Sequence, residues 1–211
     1  CGIFVNFNKD NFSNKLEKNL KSLNLLDHRG PDDKGHLFFQ ERYGSIFLGH
    51  TRLSIIDLSS NGKQPMTSFD NTLAIVFNGE IYNYRELKEE LKNLGYQFKT
   101  ETDSEVLLIA WLHYGKSCLS KLMGMFAFLI YDRKNNKIFS ARDAFGIKPL
   151  YFYLGHNNFL CSSEISPIIS QEKNLKSLNL QKSYDYLIHG AYDDEDQTFF
   201  KDIYHVKPAE F

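Results

Sequence analysis

The chain has 211 residues, and 25 basic residues set against 26 acidic ones leave a formal net charge of −1. That length suits one large domain, or one domain with a tail, burying roughly 70 % of its unfolded surface. The charge balance argues against nucleic acid as the main partner, and no apolar run approaches the ~18 residues of a membrane span. Cys1, Cys118 and Cys161 form an odd set at no metal-like spacing. Such a set suits a reducing, cytoplasmic setting better than a disulfide framework. Abundant Phe and Tyr, 18 and 12 residues, favour a strand-rich core.

Residues 2–7 alternate and are rich in Ile, Val and Phe, predicting a buried strand with Cys1 at its edge. Leu16, Leu20, Leu23 and Leu26 recur at a helical period, predicting a helix over 11–26 with Ser13 as its cap. Turn chemistry fills 27–34, where Gly30-Pro31 precedes two acids. Paired strands are predicted at 35–40 and 43–50, a loop at 58–65 and a further strand at 71–77. Residues 84–94 read as a short amphipathic helix stopped by Gly95. Thr102 and Glu105 have capping-box spacing ahead of a helix that runs to Tyr114. Strands follow at 125–132, 137–142, 149–154 and 158–162, then a helix over 180–188 ended by His189-Gly190. The stretch 192–211, with its acidic run at 193–196, reads as a surface excursion. Hairpin-connected strands with helices inserted between strand groups predict an α+β fold of antiparallel sheet with packed helices.

Polar residues gather at the ends of apolar runs in four places: 28–32, 50–54, 78–80 and 102–104. A cysteine at a free amino terminus carries a nucleophile and a base on one residue. Its thiol titrates near 8.5 and its amine near 7.7–8.0, close enough to pass the thiol proton directly or through a water. Taken alone, Cys1 also fits an arbitrary start of the chain. Asn78-Gly79 after a strand is by default a hairpin turn. The same pair can also present an amide and a backbone N–H as an oxyanion hole. Arg52 suits either a structural ion pair or a two-pronged carboxylate grip. Asp103 suits either a helix-cap neighbour or a partner for a substrate ammonium. No Gly-rich loop with Lys-Ser/Thr cradles a phosphate, and no cluster has zinc spacing.

Several motifs occur in a fixed order: Cys1-Gly2-Ile3, HRGPDD at 28–33, GHTRLSIIDLS at 49–59, FNGEIYNY at 77–84 and TDSE at 102–105. GMFAF at 124–128, ARDAFGIKPLY at 141–151 and SSE at 162–164 follow. Together they resemble the glutaminase domain of the glutamine-using asparagine synthetases, within the class II glutamine amidotransferases. The resemblance covers nearly the whole chain. The acids after Gly30-Pro31 and the Leu-Ser-Ile-Ile-Asp-Leu after Arg52 look like the asparagine synthetase branch.

The resemblance implies a four-layer αββα sandwich of two antiparallel sheets, of the amino-terminal-nucleophile hydrolase type. It implies Cys1 as the nucleophile, its amine as general base, and Asn78 with the Gly79 N–H as oxyanion hole. Arg52 would bind the glutamine α-carboxylate, Leu53, Ser54, Ile55 and Ile56 would line the pocket, and Glu80 and Asp103 would meet the α-amino end. No cofactor or metal is implied for this domain. ATP and Mg are expected in a synthetase domain beyond it, toward which 191–211 would lead from a domain spanning 1–190. The implied partners are glutamine and that domain, with aspartate as the default ammonia acceptor, and the pattern leaves a homodimer open. One departure stands out: Val5-Asn6-Phe7 follows Phe4 where the family commonly has glycine. The rivals are a non-catalytic glutamine sensor, an amino-terminal-nucleophile hydrolase of another amide, and the glutaminase half of another amidotransferase. Arg52 and Asp103 together favour a free amino acid, since each charge of a zwitterion needs a partner.

Overall fold

Along β1 (Gly2–Asn8) the side chains alternate between two apolar environments, and that alternation builds the layers of the molecule. Ile3 and Val5 point into a core between two sheets, while Phe4 points outward under a helical layer. The computed structural model describes residues 1–9, 15–42, 44–191 and 196–211. Its elements run α1 (Lys15–Asn24), β2 (Asp33–Glu41), β3 (Gly44–Arg52), β4 (Met66–Thr67), β5 (Leu73–Ile81), α2 (Tyr84–Asn93) and α3 (Asp103–Tyr114). They continue with β6 (Gly124–Asp132), β7 (Lys137–Arg142), β8 (Tyr151–Leu154), β9 (Asn158–Ser162), α4 (Ile165–Gln171), α5 (Leu180–His189) and β10 (Tyr204–His205).

One sheet has the order β10-β8-β9-β1-β3-β2 and the other β4-β5-β6-β7, with every paired strand antiparallel. Ile3, Val5, Ile46 and Leu48 of the first sheet meet Ala74, Val76, Ala127 and Leu129 of the second. Leu23 of α1 and Ile168 of α4 cover the outer face of the first sheet. Leu107 and Leu108 of α3 cover the outer face of the second, and α2 packs on α3 through Leu87, Leu91, Val106 and Ala110. The order helix, sheet, sheet, helix is the four-layer α+β sandwich expected.

The strands and helices keep their expected order, with informative differences. β5 does not end at 77 but passes straight through Asn78-Gly79, which pair with Ala127 and Phe126 of β6. The hairpin-turn reading is therefore wrong, and glycine is needed for another reason. A Cβ on Gly79 would lie 2.2 Å from the Met125 carbonyl oxygen and 2.7 Å from the Phe126 Cα. Helix α4 was not expected, because Pro167 masks it; proline is tolerated there because it sits in the first turn. The tail is less of an excursion than its composition suggests. Tyr204 and His205 pair with β8, and Ile203 and Val206 are buried.

The capping box is half formed. Thr102 Oγ1 accepts the Glu105 N–H at 3.2 Å, but the Glu105 carboxylate turns instead to the N–H groups of Lys99 and Thr100. Ser13, Tyr43 and the acids at 193–195 lie outside the described residues. Val5, at the family's glycine position, fills the inter-sheet core without disturbing the β1 register with β3 and β9.

Its neighbour Asn6 faces the helices. Asn6 Nδ2 donates to Asn19 Oδ1 of α1 at 2.8 Å and to Gln171 Oε1 of α4 at 3.3 Å, all three residues being buried. Replacing Asn6 with Ala leaves those acceptors without this donor, at about 1–3 kcal/mol per unsatisfied buried group. Asn6→Ala should lower unfolding free energy in a urea titration by that amount while leaving catalytic turnover at the parent value.

Candidate active site

Cys1 is held at the end of a central strand from several directions. Its amine donates to the Arg29 carbonyl at 2.8 Å, and Arg29 Nε donates back to the Cys1 carbonyl at 3.0 Å. Arg29 is itself braced by Glu164, which accepts from Arg29 Nη1 at 3.0 Å and contacts His28 Nε2 at 2.8 Å. Cys1 Sγ lies against the Leu53 peptide groups, 3.4 Å from the Leu53 N–H and 3.6 Å from its carbonyl oxygen. Burial, assisted by the positive charges of Arg29 and Lys148, lowers the Cys1 amine to a pKa of about 6. The shift favours the free base near neutral pH. The other thiols are unsuited to chemistry. Burial raises Cys118 to about 12 and Cys161 further still.

Cys1 opens into a cavity of about 110 Å³ lined by Arg52, Leu53, Ile55, Ile56, Asn78, Gly79, Glu80 and Asp103, among others. The structure thus brings together every expected site residue but one. Ser54 is absent from the lining; its backbone N–H donates to Asp32 Oδ2 at 2.7 Å, tying the 52–57 loop to the turn ahead of β2.

Arg52 both organises that loop and faces the cavity. Nη1 donates to the Ser59 carbonyl at 2.8 Å and Nη2 to that of Asp57. The fork has five N–H donors, so others remain for a ligand. Gly62 permits this packing, since a Cβ there would lie 2.1 Å from Nη2.

The opposite wall is the open edge of β5. Strand alternation sends the backbone groups of residues 73, 75, 77, 79 and 81 toward β4, which supplies only Met66 and Thr67. Past that point side chains take over. Phe77 N–H donates to Gln64 Oε1 at 2.7 Å and Ile81 N–H to Asp103 Oδ2 at 3.0 Å. The Gly79 N–H lies between them on the same edge, turned to the cavity. Asn78 Nδ2 is buried without a hydrogen-bond partner among the described residues, a state that costs about 1–3 kcal/mol. An unpartnered amide N–H beside a free backbone N–H is chemically an anion site. Asp103, at the first turn of α3, is held by burial at a pKa raised to about 6.

Sequence reasoning missed Gln64, Ser104 and Lys148, all of which line the cavity. Lys148 lies in the ARDAFGIKPLY motif, and the motif itself secures it. Its N–H donates to Asp143 Oδ2 at 3.0 Å, and Arg142 Nε donates to its carbonyl at 2.8 Å. The motif was the available signal, although the residue type alone suggested no role. Among the described residues, no group of three or more His, Cys, Asp and Glu side chains is placed to hold a metal ion. No helix there is long and apolar enough to cross a membrane.

The chain matches the glutamine amidotransferase domain family over residues 1–211. It belongs to that family. It is 42 % identical over 179 residues to a glutamine-hydrolysing asparagine synthetase of Bacillus subtilis (strain 168), covering 83 % of this chain and 28 % of that protein. It is 36 % identical over 192 residues to the amidase chyE of Penicillium rubens, covering 90 % of this chain and 27 % of that protein. Glutamine phosphoribosylpyrophosphate amidotransferase from B. subtilis, solved with ADP and GMP, superposes with a TM-score of 0.63 at 26 % identity. That match covers 80 % of this chain and 43 % of that one. The domain therefore spans less than half the length of each of these relatives.

Two groups of the amidotransferase site titrate together. Above about pH 6 the Cys1 amine is a free base and Asp103 an anion; below it the amine is protonated and Asp103 neutral. The kcat/KM for glutamine should therefore fall below about pH 6 with a slope approaching two protons. Asp103→Asn should reduce the plateau and leave a one-proton limb, measured as initial rates of glutamate release from pH 4.5 to 8.

Proposed function

We propose that this domain hydrolyses glutamine to glutamate and ammonia through a thioester on Cys1. The observation that carries the proposal is a shared cavity, in which a free-base terminal amine and its own thiol meet an unpartnered Asn78 amide and an open Gly79 N–H. The Cys1 amine takes the thiol proton, and the thiolate attacks the side-chain carbonyl carbon of glutamine. The negative charge moves to the carbonyl oxygen, where Asn78 Nδ2–H and Gly79 N–H receive it. As the tetrahedral centre collapses, the protonated amine gives its proton to the departing nitrogen and ammonia leaves. Water, deprotonated by the same amine, then cleaves the thioester and releases glutamate. Arg52 grips the α-carboxylate, Asp103 and Glu80 hold the α-ammonium, and Leu53, Ile55 and Ile56 enclose the stem.

The ammonia is delivered to a synthetase domain in the same full-length chain, toward which 191–211 leads from the glutaminase domain at 1–190. Aspartate is the acceptor and asparagine the product, as the name of the B. subtilis relative suggests. ATP and Mg would act in that second domain, and no step above passes through them. A different acceptor is the second reading, favoured by the comparable match to the fungal amidase. Unpaired, buried Cys118 and Cys161 support work in a reducing cytoplasm.

Two substitutions test the chemistry. Cys1→Ala should abolish glutamate release while the protein melts as the parent does; appreciable hydrolysis would sink the mechanism. Asn78→Ala should lower kcat by roughly a hundred- to a thousandfold, about 2.7–4 kcal/mol, with KM for glutamine little changed. A KM that rises in step with the lost kcat would make Asn78 a substrate-binding residue instead.

A further inference from the structure

Strand β4 stops short, and Gln64 covers for it. If the β4–β5 register, Met66 opposite Ile75 and Thr67 opposite Ala74, ran backward, Gln64 would lie opposite Phe77. Pro65 intervenes, and the Gln64 main chain turns toward the other sheet, where a Cβ on Gly35 would lie 2.1 Å from the Gln64 carbonyl oxygen. The side chain makes the bonds that the backbone would have made. Its Oε1 accepts the Phe77 N–H at 2.7 Å and its Nε2 donates to the Phe77 carbonyl at 3.2 Å. A carboxamide carries the same donor and acceptor pair as a peptide. Nε2 also donates to Ser104 Oγ at 3.1 Å, tying the edge to α3, and Gln64 is 5 % exposed.

A second side chain reaches the same peptide from the first sheet. His50 Nε2, fully buried, lies 3.0 Å from the Phe77 carbonyl. A carbonyl accepts only, so the ring carries its proton on Nε2. The Phe77 carbonyl, immediately before Asn78, is thus bonded by His50 of the first sheet and by Gln64, which is itself tied to Ser104 of α3.

We propose that Gln64 is a positioning residue for the oxyanion donors: its carboxamide replaces the missing stretch of β4 and holds the Phe77 peptide so that Asn78 and Gly79 face the cavity. The Gln64 carboxamide is engaged by Phe77 and Ser104. It acts by fixing where the two donors point, with His50 locking the same carbonyl from behind. The assignment rests on the glutaminase reading and adds a residue to it. Misdirected donors lose contact with charge that develops only in the transition state, so kcat falls and KM does not.

The test compares the full chain with Gln64→Met, which keeps the volume and removes every hydrogen bond. Gln64→Glu is the second variant; it keeps an acceptor for the Phe77 N–H and retains at most one of the two donated bonds. Both should lower kcat by about tenfold or more, with KM for glutamine within about twofold of the parent. Amide exchange at Phe77 should accelerate in Gln64→Met, because its acceptor is gone. Four results would overturn the assignment: kcat within twofold of the parent in a folded variant, a rise in KM that accounts for the loss, turnover regained on cooling below the variant's melting range, or failure of both variants to fold. The last would make the carboxamide a support for the fold as a whole. If the parent chain itself releases no glutamate, the glutaminase reading fails; an active parent with fully active Gln64 variants removes only Gln64.

Discussion

A chain terminus is ordinarily the least ordered part of a domain, yet an amine and thiol that act together must sit in one fixed geometry. The fold resolves this conflict by making Cys1 the end of a central strand. β1 lies between β3 and β9, so the backbone arriving at Cys1 is fixed on both sides. Arg29 then closes the last residue in a reciprocal pair of hydrogen bonds, amine to carbonyl and guanidinium to carbonyl. Glu164, just past the neighbouring β9, keeps that guanidinium in place. The same enclosure removes water from the amine and lowers its pKa, so fixing the terminal residue and making its amine less basic are one physical act.

The opposite wall depends on an incomplete strand. A complete β4 would hydrogen-bond the Gly79 N–H and leave nothing to meet an anion. An edge left bare would instead let β5 move and would admit a strand from another chain. Side chains settle the matter at alternate positions: Gln64 at Phe77 and Asp103 at Ile81, with the Gly79 N–H open between them. The Met125–Phe126 backbone packs so closely on Gly79 that a Cβ has no room. Glycine therefore answers to the sheet pairing and to the open edge together.

The sequence shows its layers plainly because apolar alternation and helical periodicity act locally: Ile3 against Phe4 in β1, Leu87 and Leu91 in α2. The placement of Cys1, Arg52, Asn78, Gly79 and Asp103 in one cavity was legible only through the ordered motifs. From local rules alone, Asn78-Gly79 is a turn and Arg52 a surface ion pair. What overrides the turn rule is tertiary: β6 supplies a partner for each residue across 73–81, so the strand continues where local chemistry would bend it. Gln64 was not legible at all. Its role exists only because β4 ends at Met66, because Pro65 turns the chain, and because Phe77 lies opposite in register. None of these can be read within a short window. Ser54 lies off the cavity lining: its motif places it in the loop, where the Asp32 carboxylate takes its N–H.

The site concentrates the fold's departures from local satisfaction, and each departure has a chemical sense. Asn78 Nδ2 has no acceptor among the described residues, Asp103 is buried with its pKa raised, and the Cys1 amine is buried with its pKa lowered. Each arrangement costs stability, and outside the cavity lining Asn6 Oδ1 and His50 Nδ1 are further buried atoms without a partner among the described residues. In the proposed reaction one zwitterionic amide would answer all three groups of the cavity. Its developing oxyanion suits the Asn78 amide, its ammonium suits Asp103, and its leaving nitrogen suits a proton on the amine. Arg52 differs from these in being partly satisfied already, by the carbonyls of Asp57 and Ser59. The carboxylate grip proposed for it would therefore be pre-aligned with the 52–57 loop. Binding and loop order are coupled through that one guanidinium, whereas the oxyanion donors are set by the rigid sheet beneath them.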